Sequence, residues 1–213
     1  AVADADLPQA IAFVLQHLFN LHMRDQLSAD ILGNQAAIDL LSGKREMAVC
    51  FADLVGFTTL GEHVPTELLG AIAERLSAIA SELVEPPVRL VKSIGDAVML
   101  VSPEPRALID TSLALIAAVE REGEGFPQLS AGLAFGEVVD RAGDVYGPPV
   151  NLASRLSDVA RAGSLVTTIG VRELLENDFD WTAIGRRRFK GIAEPVALER
   201  ARELGTRDEI RRR

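Results

Sequence analysis

Three stretches of this 213-residue chain carry side chains able to do more than fold. The first is Val91-Lys92-Ser93-Ile94-Gly95-Asp96-Ala97-Val98-Met99. Two short apolar runs joined by a Gly-containing turn read as a hairpin, with strands over 88–92 and 97–101. A Lys and an Asp flank that turn, and ionisable groups rarely occupy buried-looking strands unless paired or liganded. The second is Asp53, near the end of the apolar run 47–54 and followed by the turn Val55-Gly56-Phe57-Thr58. A carboxylate beside free backbone N–H groups suits a metal-bound phosphate: the carboxylate holds the cation and the amides hold the oxygens. The third is Asn151 with Arg155, four apart and so on one face of a helix over 150–161. Each has a plainer reading alone: a Lys92–Asp96 ion pair, an ordinary Asp-x-x-Gly turn, a hydrogen bonder and a surface ion-pair partner at a helix start.

The elements that must position these residues follow from periodicity. The continuous apolar run at 47–54 is typical of a strand buried on both faces. Thr66 after Pro65 starts a helix to residue 83, with Leu68, Leu69, Ile72, Leu76, Ile79 and Leu83 on its apolar side; Pro86-Pro87 stops it. A helix over 105–120 and a strand over 129–139 follow, then the turn 141–144. Beyond the helix at 150–161 come a strand (165–168), a short helix (171–176) and two strands (181–190 and 196–201) around Gly191-Ile192-Ala193-Glu194-Pro195. From residue 46 the order is β-α-β-β-α-β and then an α-β-α-β-β portion. This is an α+β fold: a ferredoxin-like βαββαβ core, its sheet covered by helices on one face, with C-terminal α/β additions.

The first 45 residues differ. Ile11, Val14, Leu15, Leu18 and Leu21 fall at helical spacing, so helices are expected over about 7–26, 29–32 and 35–41. No chemistry shows there beyond His17 and His22, a candidate pH-sensitive pair. The region reads as a linker helix or the end of a regulatory region, as expected of a fragment cut from a longer protein. Domains are therefore expected at 1–45, 46–202 and, as a charged tail, 203–213.

Composition removes several function classes. The net charge of −9, with no basic run longer than Arg186-Arg187-Arg188 and Arg211-Arg212-Arg213, disfavours nucleic acid. One cysteine, Cys50, rules out an intrachain disulfide and a Cys-rich metal site and fits a reducing cytoplasm. Residues 7–23 are apolar but broken by Gln9, Gln16, His17, Asn20 and His22, poor for a spanning helix, so membrane contact is not indicated.

Phe51-Ala52-Asp53-Leu54-Val55-Gly56-Phe57-Thr58, Lys92-x-x-Gly95-Asp96, Asp144-x-x-Gly147-x-x-Val150-Asn151-x-x-x-Arg155 and Lys190-Gly191, in this order, resemble the class III nucleotidyl cyclases over about residues 46–200. The short stretch from Gly136 to Tyr146 resembles the bacterial subgroup with a reduced dimerisation arm. The resemblance implies that Asp53 and Asp96 hold two Mg²⁺ or Mn²⁺ ions per active site, hard cations that prefer carboxylate oxygens. It implies that backbone N–H groups of Val55, Gly56, Phe57 and Thr58, together with Lys190, bind the triphosphate. Asn151 would orient the ribose, and Arg155 would stabilise charge on the α-phosphate.

Lys92 and Asp144 would read the base. Lys donates only and ionised Asp accepts only, which complements adenine's N1 acceptor and N6 amino donor and leaves guanine mispaired. In the resembled enzymes the two aspartates come from one subunit and the other positions from its neighbour. A chain carrying both sets is expected to be a head-to-tail homodimer that converts ATP to 3′,5′-cyclic AMP and pyrophosphate. Two rival readings fit less well. A diguanylate-cyclase or polymerase-palm relative lacks its Gly-Gly-(Asp/Glu)-Glu-Phe signature here. A non-catalytic or autoinhibited ATP-binding module would not need Arg155.

Overall fold

The computed structural model describes residues 43–205, apart from residue 142. The chain divides between Lys44 and Arg45, and nearly every described residue belongs to the second unit. The helices expected before residue 42, the His17/His22 pair and the tail beyond residue 205 lie outside the described residues.

The described chain runs β1 (Lys44–Leu54), α1 (Phe57–Leu60), α2 (Thr66–Leu83), β2 (Arg89–Ile94), β3 (Ala97–Ser102), α3 (Pro105–Glu120), β4 (Leu129–Arg141), β5 (Asp144–Tyr146), α4 (Pro148–Val159), β6 (Ser164–Thr168), α5 (Ile169–Leu174), β7 (Asp180–Arg187) and β8 (Val196–Arg202). One eight-stranded sheet has the order β2-β3-β1-β4-β6-β8-β7, with β5 paired to β4. The first six elements of the expected βαββαβ core give the β2-β3-β1-β4 half, and the C-terminal additions extend the sheet beyond β4.

Residue parity assigns the core to two layers. Along β1, Ala48, Cys50, Ala52 and Leu54 face one side, where they meet Ile72, Leu76 and Ile79 of α2 and Leu108, Leu115 and Val119 of α3. Met47 and Val49 face the other, with Met99 and Val101 of β3, Val145 of β5 and Ala153 and Leu156 of α4. The sheet is thus covered on both faces, not on one as the helix pattern alone indicates. The second cover is α4 with the β4–β5 hairpin. Leu68, expected on the apolar side of α2, is instead exposed.

What seats α4 is an absence of side chains. On β4 the residues turned toward it are Ser130, Gly132 and Ala134, all small. A Cβ on Gly132 would collide with backbone atoms of Ala153, Leu156 and Ser157, so helix and strand touch backbone to backbone. Complete burial of Leu156 adds roughly 1.5–3 kcal/mol to that seat. No described helix is long and apolar enough to cross a membrane.

Candidate active site

The α4-covered face gathers the chemically active residues. Asp53 is in phase with Met47 and Val49 and pairs with Ala97 across the sheet. The β2–β3 turn brings Asp96 beside it, and the Leu54 N–H donates to the Asp96 carbonyl at 3.0 Å. Gly95 makes that turn possible, with φ of +60°. The Asp53 carboxyl is pushed up to about 6, first by burial, then by the charge and hydrogen bond of Asp96 and the charge of Asp158; the Leu54 N–H opposes this weakly. Two like charges held this close, both hard oxygen donors, fit a divalent cation. Among the described residues no group of three or more His, Cys, Asp or Glu side chains is arranged to hold a metal.

The loop after Asp53 differs in part from expectation. The Val55 N–H already donates to the Gln128 carbonyl at 2.8 Å, so it is spent inside the fold. Phe57 and Thr58 open the short helix α1, where N–H groups have no intrahelical acceptor. Gly56 precedes them at φ +77°, a conformation that requires glycine although its Cβ would meet nothing.

On the same face, Lys92 Nζ donates to both Asp144 carboxylate oxygens at 2.7 Å. Burial alone would raise the Asp144 carboxyl. Hydrogen bonds from Lys92, the Val145 N–H and the Tyr146 hydroxyl, with the Lys92 charge, hold it below the usual range. A donor and an acceptor thus stand side by side, on strands that are not sheet neighbours.

A cleft of about 870 Å³ is lined by Phe135, Gly136, Asn151, Leu152, Arg155 and Gly191, among others. Asn151 and Arg155 share one face of α4, as their spacing requires. Arg155 makes no hydrogen bond or ion pair among the described residues, which leaves its guanidinium available to an anion. Lys190 lies in a turn closed by Ile192 N–H to Phe189 O at 3.1 Å, not in the strand expected through residue 190; β7 ends at Arg187. Gly191 (φ +80°) brings that turn against Arg155, whose Nη2 is 4.0 Å from where a Gly191 Cβ would be. Neither Asp53 nor Asp96 lines this cleft.

Four residues escaped the sequence reading. Asp158, one turn beyond Arg155, deepens the negative potential at Asp53. Tyr146 hydrogen-bonds Asp144. Arg89 and Asp140 bridge β2 to the β4–β5 hairpin at 3.0 Å. Only Asp158 had a usable signal, its helical phase with Asn151 and Arg155.

The family model for the adenylate and guanylate cyclase catalytic domain matches residues 42–199. The chain belongs to this family. The chain is 44% identical, over 91% of its length, to a pH-sensitive adenylate cyclase of Mycobacterium tuberculosis (strain CDC 1551 / Oshkosh). An adenylate cyclase of Streptomyces griseus is 42% identical over 59% of the chain. The chain spans 50% of the first relative's length and 32% of the second's. Its fold matches the crystal structure of the adenylyl cyclase CyaB from P. aeruginosa with a TM-score of 0.64 at 22% identity, covering 76% of this chain and 98% of that one.

Proposed function

We propose that this chain is an adenylyl cyclase, converting ATP to 3′,5′-cyclic AMP and pyrophosphate at composite sites of a head-to-tail homodimer in the cytoplasm. The observation that carries the reading is the Lys92–Asp144 pair, an ammonium and a carboxylate held at 2.7 Å beside the other family positions. Relatives named adenylate cyclases support the same choice. A single buried free thiol, Cys50, fits the compartment.

Adenine would displace this internal pair, exchanging Lys92 for a bond to N1 and Asp144 for one from the N6 amino group. Asn151 would hold the ribose. Arg155, without a partner among the described residues, would meet the charge that builds on the α-phosphate during in-line attack by the 3′-oxygen. Lys190 and the N–H groups of Gly56, Phe57 and Thr58 would hold the phosphates that depart as pyrophosphate. Asp53 and Asp96 would hold Mg²⁺ or Mn²⁺, two ions per site, which lower the pKa of the 3′-hydroxyl and neutralise the triphosphate. The lining of the cleft supports the dimer: Arg155 and Asn151 line it and the aspartates do not, and a second copy would bring its Asp53 and Asp96 to it.

The test is product analysis with Mn²⁺ and either ATP or GTP, using the intact chain and two inactive variants, Asp53→Ala and Arg155→Ala. Cyclic AMP from ATP is expected from the intact chain and from neither variant alone. Mixing the variants is expected to restore about a quarter of full output, because half of randomly formed dimers carry one intact site of two. Cyclic GMP as the product would overturn the base assignment. Failure of the mixture to recover would overturn the shared site. ATP binding with no cyclic product would turn the reading into a nucleotide-binding signalling module.

A further inference from the structure

Lys92 and Asp144 meet although β2 and β5 are separated in the sheet by β3, β1 and β4. Something other than strand pairing must hold the β4–β5 hairpin over the sheet at the right height. Arg89 does this with two bonds. Its Nη2 donates to Asp140 Oδ2 at 3.0 Å, on the β4 arm, and its Nη1 donates to the Gly143 carbonyl at 2.9 Å, at the start of β5. Arg45 of β1 adds a second cation on Asp140 at 3.2 Å. Asp144 is therefore fixed on both sides. Arg89 grips the carbonyl of the residue before it, and the residue after it, Val145, is 1% exposed in the core and donates its N–H to Asp144 Oδ1 at 2.8 Å.

A regular strand could not do this. Residues 89 and 92 are three apart, and strand side chains alternate with a period of two, so they would point to opposite faces. The β2–β3 register shifts between Leu90 and Lys92: Arg89 pairs with Val101 and Lys92 with Met99, leaving Val91 as an extra residue. Val101 and Met99 share the α4-covered face. The bulge at Val91 therefore turns both cations to the same side, one to grip the hairpin and one to reach its carboxylate.

We infer that Arg89 is a positioning residue for base selection, holding the β4–β5 hairpin so that Asp144 stands opposite Lys92, and that the bulge at Val91 is what permits it. The inference rests on the assignment of Lys92 and Asp144 to adenine. The Arg89 guanidinium is committed to the Gly143 carbonyl and Asp140, so it acts through them and the backbone of Asp144. Loosening Asp144 costs the adenine contact that guanine never makes, so the effect falls on discrimination.

The experiment compares the intact chain with Arg89→Met and Arg89→Lys, measuring kcat/KM for ATP and GTP, melting temperature, and calorimetric binding of unreactive α,β-methylene ATP and GTP. Arg89→Met is expected to lower kcat/KM for ATP by about tenfold, mainly through KM, and to narrow the ATP-to-GTP ratio by a similar factor. Arg89→Lys keeps the charge on Asp140 but not the forked grip, so its ratio should lie between the two. Equal losses for ATP and GTP, or a ratio unchanged in Arg89→Met, would overturn the inference even if the intact chain makes cyclic AMP. If the intact chain makes no cyclic nucleotide, the proposed activity fails, and the analogue affinities still decide the role of Arg89. An intact chain that binds both analogues equally would overturn the base assignment and this inference together. Should Arg89→Met not fold, Arg89→Lys carries the same comparison.

Discussion

Asp53–Asp96 and Lys92–Asp144 stand on one face of one sheet, and the same hairpin contributes to both, yet they are in opposite electrostatic states. In the first, burial and a second carboxylate push the Asp53 carboxyl up to about 6. In the second, an ammonium and two further donors keep the Asp144 carboxyl below its usual range. One corner pairs like with like, and on the proposed reading it gains from a cation. The other is satisfied in advance, and on that reading it would exchange its internal bonds for those of a base. A fold built for stability alone would have distributed one lysine and three aspartates more evenly, since like charges side by side destabilise and a half-exposed ion pair returns little.

The strongest way to break this contrast is to neutralise the like-charged corner. Asp53→Asn is expected to lower cyclic AMP formation by about a thousandfold, the equivalent of several kcal/mol of lost charge stabilisation. The same change should stabilise the fold in cation-free buffer. Because the folded carboxyl titrates at about 6 against an ordinary 3.8, its favourable contribution is complete below about pH 4 and is lost as pH rises through 6. The variant, always neutral, should therefore melt increasingly above the intact chain across that window. A variant that loses both activity and stability would mean that the carboxylate is a structural member.

At the satisfied corner, Lys92→Ala leaves Asp144 with the Val145 N–H and the Tyr146 hydroxyl only. The ATP-to-GTP ratio of kcat/KM should fall by about a hundredfold. An unchanged ratio would remove base reading from this pair.

A smaller effect should come from the backbone contact beneath α4, which borders both corners. The Ser130 hydroxyl lies 3.3 Å from Ser157 O and 3.4 Å from Asp53 O. Gly132→Ala pushes α4 off β4 and is expected to cost about 1–3 kcal/mol in denaturant unfolding, with kcat falling as Arg155 moves. The least effect belongs to a titratable group outside both corners. Cys50, wholly buried beside Ser112, has its thiol pushed up to about 12, so it should resist iodoacetamide at pH 8.5 until the chain unfolds. Alkylation of the folded protein would show that this core opens more readily than its packing indicates.

Much of the scaffold was legible because punctuation marks it. Pro65 and Thr66 start α2 and Pro86-Pro87 follow its end; Pro105 starts α3 and Gly123 lies just past it, and both helices run over the expected residues. The Gly95-Asp96 turn was equally plain. What stayed hidden lacks a periodic signal. β5 has three residues, too few to alternate, and Gly147 just after it reads as loop. β1 begins at Lys44, earlier than the apolar run, because its first residues are exposed and charged. α1, at four residues, looked like a turn. The candidate residues were readable from their types and order; Arg89 was not, because its meaning depends on a bulge, and Val91 is as ordinary a strand residue as any.

That bulge also governs which changes of length this segment can absorb. Removing Val91 would restore a regular ladder and a flatter edge in which Arg89 and Lys92, then two apart, still face the α4-covered side opposite Val101 and Met99; what is lost is the extra twist that the bulge gives this edge. Substitutions at Val91 leave the count intact and are comparatively harmless. The hairpin is therefore tolerant of spelling at position 91, and the extra residue there sets the twist of the edge that carries Arg89 and Lys92 toward the β4–β5 hairpin.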